Sequence, residues 1–185
     1  MIQKTKQTLH AFYNREDGLA FIEFALIFPL LLTMMLGVWD VGHALWVNQK
    51  AIAASHTVAD LVARQLRVSE DEVTQAMLAG ELVMSPFPTE DRFYLEVLSV
   101  GFDDEGNIDD DPETTWQKTT DDAPVKQDLY DKIEPLAIPY EGVVAVRVTY
   151  DYEPTFGSFI IDRLEMKETA FARGRKTAVI QAEWE

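Results

Sequence analysis

The run DGLAFIEFALIFPLLLTMMLGVWD, residues 17 to 40, is almost entirely apolar, yet it holds one internal carboxylate, Glu23, five residues after Gly18. An ionised carboxylate at the middle of a membrane helix costs about 2.5–3.5 kcal/mol, less near an interface, and such groups usually acquire a partner. Two arrangements satisfy that chemistry. Either the side chain reaches back about one turn to the headgroup layer, or a cation from another molecule neutralises it.

The other reactive side chains form no constellation of the kind catalysis needs. The absence of cysteine excludes disulfides, thiolate metal sites and thiol redox chemistry. The histidines are His10, His43 and His56; the last two are 13 residues apart with no paired acid nearby, so no metal site is expected. The acidic run DDEGNIDDD (103–111) resembles a calcium loop only superficially. With Gly106 at the sixth position, the first ligand falls on Gly101 and the twelfth on Pro112, so the run reads as a solvated hairpin turn. Gly157-Ser158-Phe159 lacks the second glycine of a nucleophile elbow. Gly174-Arg175-Lys176-Thr177 lacks the upstream glycine and the Gly-Lys pair of a phosphate loop. Neither an enzyme nor a cofactor is indicated. Arg173, Arg175 and Lys176 read as a strand end paired with carboxylates of the same domain.

The element that positions Glu23 is a helix. Between Asp17 and Asp40 lie 22 residues with a single charge, a length of roughly 33 Å at 1.5 Å per residue, against a hydrocarbon layer of about 30 Å. Residues 19–39 are therefore expected to span a membrane, with Phe12 and Tyr13 before the span and Trp39 and Trp46 after it placed as interfacial aromatics. An ordinary secretory signal fits less well: the apolar core is too long, and the small residues of AIAAS (51–55) lie too far beyond it. Pro29 has no N–H to give to residue 25, which predicts a kink or a locally melted turn. Before the span stand Lys4, Lys6 and Arg15 against Glu16 and Asp17; from Asp40 onward there are 13 basic and 29 acidic residues. The positive-inside bias then keeps the N-terminus cytoplasmic and exports the acidic portion. So acidic a domain is not expected to bind nucleic acid.

Gly18-Leu19-Ala20-Phe21-Ile22-Glu23-Phe24 resembles the processing site of type IV prepilins of the Flp/Tad kind. The continuation EFALIFPLLLTMMLGVWDVGHAL, with Pro29, Leu30 to Leu32, Gly37, Asp40 and Gly42, is similar to the TadE-like minor pseudopilins. The resemblance covers about 30 residues and is weak beyond residue 45. It implies that a prepilin peptidase cuts after Gly18, releases residues 1–18 as a leader and leaves Leu19 as the new N-terminus. Glu23 would then be the fifth residue of the mature chain, available to pair with the free amine of a neighbouring subunit, with Phe24 beside it. The physics agrees, since an ammonium and a carboxylate in a low-dielectric layer each remove the other's unpaired-charge cost. One departure is Glu16-Asp17 ahead of the cut, where such leaders are commonly basic.

The chain after Asp40 reads as α+β. Residues 40 to about 68 predict a helix continuing into the exported space, with Val41, Leu45, Ile52, Val58, Leu61, Val62 and Leu66 at helical offsets and an end near Arg67. Ser69 with Glu72 forms a capping-box signature for a second helix over 70–79 that Gly80 ends. SPFPTED (85–91) is a linker. Alternation then predicts a strand over 92–100, with Phe93, Leu95 and Val97 on one face and Tyr94, Glu96 and Leu98 on the other. It also predicts an edge strand over 114–120, the strongest strand over 141–154 and a last strand over 166–176; residues 123–136 read as helical. The expected layout is a leader (1–18), a transmembrane helix (19–39), an exported helical segment (40–84) and a periplasmic α+β domain (85–185) with a small antiparallel sheet, an outline resembling pilins.

Two functions fit. One is a pseudopilin-like structural protein in the inner membrane, whose partners are the prepilin peptidase, other pilins and minor pseudopilins, the inner-membrane assembly platform and lipid. It could pass into a surface pilus for adhesion. The other is an uncleaved, signal-anchored envelope protein that binds some ligand and never polymerises. The Gly18 to Glu23 offset favours the first.

Overall fold

The computed structural model describes residues 16–121, 125–158 and 163–183, with side-chain detail from Leu19 onward. Helix α1 (Glu16–Ala63) is 48 residues long, roughly 72 Å at 1.5 Å per residue. Its two halves meet different surroundings. From Leu19 to Trp39 almost every side chain is exposed around the whole circumference. A helix that is apolar on every side and uncovered by its own protein matches lipid as its solvent. The helix runs through Pro29 with no melted turn, and the Thr33 hydroxyl donates to the Pro29 carbonyl (2.8 Å).

From Asp40 onward burial becomes one-sided. Asp40, Val47, Ala51, Ala54, Val58, Ala59 and Val62 are buried, at steps that keep returning to one stripe of an α-helix. Val41 and Leu45, expected on that stripe, are 61 % and 63 % exposed. The stripe is built of alanine and valine, small enough for the helix to lie close against a sheet, and the larger residues point away from the contact. The helix also stops at Ala63 rather than near Arg67, and the Ala63 carbonyl accepts the Arg175 N–H (2.9 Å).

Residues expected at the helix end form strand β1 (Arg67–Ser69), which pairs in parallel with β6 (Gln181–Glu183). Three residues are too few to show a period in sequence, so neither strand was predicted. Helix α2 (Glu70–Val83) begins as expected: the Ser69 N–H reaches the Glu72 carboxylate (2.9 Å) and the Glu72 N–H reaches Ser69 Oγ (3.4 Å). It does not end at Gly80. That glycine is buried where α2 meets α1, and a Cβ there would fall well inside van der Waals contact with Val58 Cγ2. Gly80 is a packing glycine, not a terminator.

The main sheet has the order β3-β2-β4-β5, antiparallel throughout, from β2 (Phe93–Gly101), β3 (Trp116–Thr119), β4 (Gly142–Tyr152) and β5 (Leu164–Ala172). Phe93, Leu95 and Val97 join Val144, Val146, Val148, Tyr150 and Tyr152 on the face covered by α1 and α2. Leu98, Val100, Val143 and Ala145 face the other way, onto Leu129 and Ile133 of α3 (Gln127–Ile133). β4 is thus buried on both sides, which is why it reads as a nearly continuous apolar run. The expected edge strand is β3. A 3-10 turn (Glu134–Leu136) follows α3, and residues 123–124 of the predicted helix lie outside the described residues. The strand expected last is β5, and β6 follows it. The fold is α+β: a long N-terminal helix followed by a small antiparallel sheet.

Candidate functional site

Gly18 and Leu19 lie in the first turns of α1, and Glu23 and Phe24 are exposed on the helix surface a little over one turn further on. Five residues separate Gly18 from Glu23, a rise of about 7.5 Å. Phe24 and Phe28 stand ring against ring, centroids 5.3 Å apart, the i,i+4 contact a helix provides. The folded domain covers none of the most apolar stretch of this helix. Residues 1–15 of the expected leader lie outside the described residues.

A second arrangement marks where the helix leaves its apolar half. Asp40, only 8 % exposed, receives three successive backbone N–H groups from the turn after β4. Oδ1 accepts from Thr155 (3.1 Å) and Phe156 (3.2 Å), and Oδ2 accepts from Phe156 (3.0 Å) and Gly157 (2.5 Å). A buried carboxylate needs such compensation, and charge-assisted bonds to backbone N–H are among the stronger kinds. A Cβ on Gly157 would sit 3.1 Å from Oδ2, so glycine lets the backbone approach.

Tyr152 ties the same helix turn to β4. Its hydroxyl donates to the Asp40 carbonyl (3.2 Å) and lies 3.2 Å from His43 Nδ1. With the one phenolic hydrogen committed to that carbonyl, Nδ1–H of His43 is the donor to the Tyr152 oxygen. Burial first, then the negative charge of Asp40, raises the Tyr152 phenol above its ordinary value, so it stays a donor at neutral pH. His43 and Trp46 both meet Phe87 edge-on, at centroid distances of 5.2 and 5.0 Å. Trp46, expected as an interfacial aromatic, is therefore partly a packing residue, though still half exposed.

Sequence reasoning quoted Asp40 only as part of a family pattern and missed its role as a latch. The signal was present: Asp40 precedes Ala44, Val47 and Ala51 on one helical stripe, and a carboxylate on a buried stripe must have donors. The turn that supplies them, 153–158, offered no such signal.

Arg173, Arg175 and Asp103, also singled out in sequence, are structural. Arg173 pairs with Glu141 and donates to the Leu136 carbonyl, each at 2.7 Å, and Arg175 pairs with Asp60. Asp103 turns its Oδ1 onto the N–H groups of Glu105 (2.9 Å) and Asn107 (2.7 Å), with Gly106 at φ +85°. The run 103–111 thus opens with an Asx turn, and the N–H groups of Asn107 above all hold the Asp103 carboxyl below its ordinary range.

The family model described as TadE-like protein matches residues 18–60, from Gly18 through the Asp40 latch to the buried stripe of α1. Over residues 18–60 the chain is similar to that family, and the helix carrying those residues has the form of a membrane anchor. No curated protein and no solved structure matches the chain.

Proposed function

We propose that the chain is a minor pseudopilin-like structural protein of Flp/Tad pilus biogenesis. A prepilin peptidase cuts it after Gly18, and residues 19–39 hold it in the inner membrane before or during assembly, with the C-terminal domain in the periplasm. The observation that carries this reading is the placement of Glu23, a carboxylate five residues beyond Gly18 on a helix that the folded domain leaves uncovered. Among the described residues, the folded domain brings no cation to that stretch. Lipid headgroups or another molecule must compensate the charge, and the amine freed at Leu19 of a neighbouring subunit has the right sign and depth. Membrane insertion penalises Glu23, and assembly recovers that cost through the pair.

The small size of Gly18 suits a protease that must approach the backbone closely. Partners on this reading are the peptidase, other pilins and minor pseudopilins, the inner-membrane assembly platform and lipid. Sequencing the N-terminus of the membrane-extracted protein tests it. Leu19 is the expected first residue, and a chain that retains Met1 in cells with an active peptidase overturns processing and leaves the static anchor.

A further inference from the structure

Asp40 immediately follows Trp39, the last residue of the apolar run, so whatever Asp40 holds is fixed at the level where the helix leaves lipid. What it holds is the turn Glu153–Ser158, by the three N–H groups of Thr155, Phe156 and Gly157. Phe156 occupies the middle of that pinned turn and is 43 % exposed. Trp39, next to Asp40 on the helix, is 63 % exposed, and Trp46 is half exposed. Aromatic side chains gather at the membrane–water boundary because one side of them is apolar while headgroups and water remain within reach. The orientation of the sheet agrees. β4 ends at the latch with Tyr152 and starts at Gly142, roughly 35 Å away for 11 residues of strand, and Tyr140 lies beyond that far end.

We infer that the turn Glu153–Ser158 is a second membrane contact. Asp40 holds it against the headgroup layer with Phe156 entering the edge of the acyl region, so the sheet domain rests on the bilayer instead of standing off it on a free stalk. This rests on the reading of residues 19–39 as the span. The occupant is lipid because Asp40, which pins the turn, follows directly on the last residue of the apolar run, so the exposed Phe156 ring is held at the level where the helix leaves the bilayer. The contact gives the exported domain one tilt and one rotation relative to the membrane. The Asp40 bonds are then the link between withdrawal of the helix and release of the domain from the surface.

The chain lacks cysteine, so single labels can be introduced cleanly. Full-length Phe156→Cys, Leu26→Cys and Tyr140→Cys, each carrying an environment-sensitive fluorophore, are reconstituted in phosphatidylethanolamine–phosphatidylglycerol vesicles with plain or brominated acyl chains. Labels at 26 and 156 are expected to lose fluorescence in the brominated vesicles, and the label at 140 to keep it. Quenching at 26 without quenching at 156 overturns the inference and leaves the anchor intact. No quenching at 26 removes the anchor and the inference with it. A blue shift at 156 that follows protein concentration and ignores bromination overturns the lipid contact in favour of a second copy of the chain. Adding Asp40→Ala should abolish quenching at 156 while leaving it at 26; unchanged quenching at 156 overturns the role given to Asp40.

Discussion

The carboxylate of Asp40 accepts the amide hydrogen of Gly157, a residue 117 positions further along the chain. This bond and its two neighbours join the point where the long helix enters the folded domain to the end of the most buried strand. Helix and sheet therefore move as one unit at the end of the apolar run.

Asp40→Ala and Asp40→Asn should both destabilise the domain, by about 2–3 kcal/mol on the scale of hydrogen bonds to charged groups. Asparagine is no remedy, because it keeps one acceptor oxygen and turns a second donor toward N–H groups that are already donors. Thermal unfolding in detergent, followed by near-ultraviolet circular dichroism, measures the loss. An Asp40→Asn protein with wild-type stability would show that a single acceptor oxygen is enough for the turn.

Gly80 and Val58 meet where α2 packs on α1. Gly80→Ala gains helix propensity of about 1 kcal/mol, but the new methyl presses on a branched side chain that is fully buried, and overpacking of that kind costs about 1–3 kcal/mol. The net change should be destabilising. Val58→Ala in the same chain makes room, so the double variant should be more stable than the sum of the two single effects predicts. Additivity within error in the double-mutant cycle would show that the two residues do not compete for the same volume.

The parts of this structure that sequence disclosed are those with a long period or a local bond. The apolar run, the Ser69–Glu72 capping box and β4 each declare themselves within one continuous stretch of sequence. The stripe on the second half of α1 was misplaced because alanine carries little hydrophobic signal, so Val41 and Leu45 stood out where Ala51 and Ala54 do the packing. Gly80 was read as a stop because a buried close approach and a helix end call for the same residue. β1 and β6 depend on a pairing more than a hundred residues apart in sequence, and no local pattern encodes it. For the candidate site, Gly18, Glu23 and Pro29 are visible as an offset along one helix, whereas the Asp40 latch takes its donors from a turn that only the folded chain brings near.

Arg147 lies in the middle of the sheet, 1 % exposed, bonded to Glu96 on β2 and to Asp128 on α3 (2.7 Å). The bond to Glu96 leads in holding its guanidinium charged. Arg147 Nη2 and Thr169 Oγ1 are buried without a hydrogen-bond partner among the described residues, so the desolvation of the charge is incompletely offset. Arg147→Met alone should cost about 3 kcal/mol, because it leaves Glu96 partly buried without its cation. Glu96→Leu combined with Arg147→Met should recover most of that loss in a urea titration. If the double variant is as unstable as the single one, the polar cluster stabilises the sheet in its own right.

The same cluster sets a pH dependence. The bond from Arg147 holds the Asp128 carboxyl below its ordinary range. A depressed carboxyl adds stability that is complete above the ordinary carboxylate range and lost as pH falls through the folded-state value. Asp128 is 57 % exposed on its side chain, so solvent screening keeps the effect small. Wild-type melting temperature should fall below about pH 4 more steeply than that of Asp128→Asn, and the two curves should converge at the acid end. Parallel curves would exclude Asp128 as a source of the acid sensitivity.

Glu23→Ala separates the two proposed ways of compensating the Glu23 charge. Removing the carboxylate removes the insertion penalty, so the variant should reach the membrane at least as well as the wild type. If a neighbouring subunit's amine is the counter-ion, the same change deletes an ion pair from the assembled state, and the variant should be absent from material that co-purifies with pilus components. If the side chain only reaches back to the headgroups, assembly has no use for it and co-purification should be unchanged. Extracting membranes and sheared surface material from cells carrying each version, and comparing the amount of this chain in both, decides between them. Glu23→Gln refines the comparison: it keeps the size and a hydrogen-bonding tip but carries no charge, so failure of both variants assigns the effect to the charge itself.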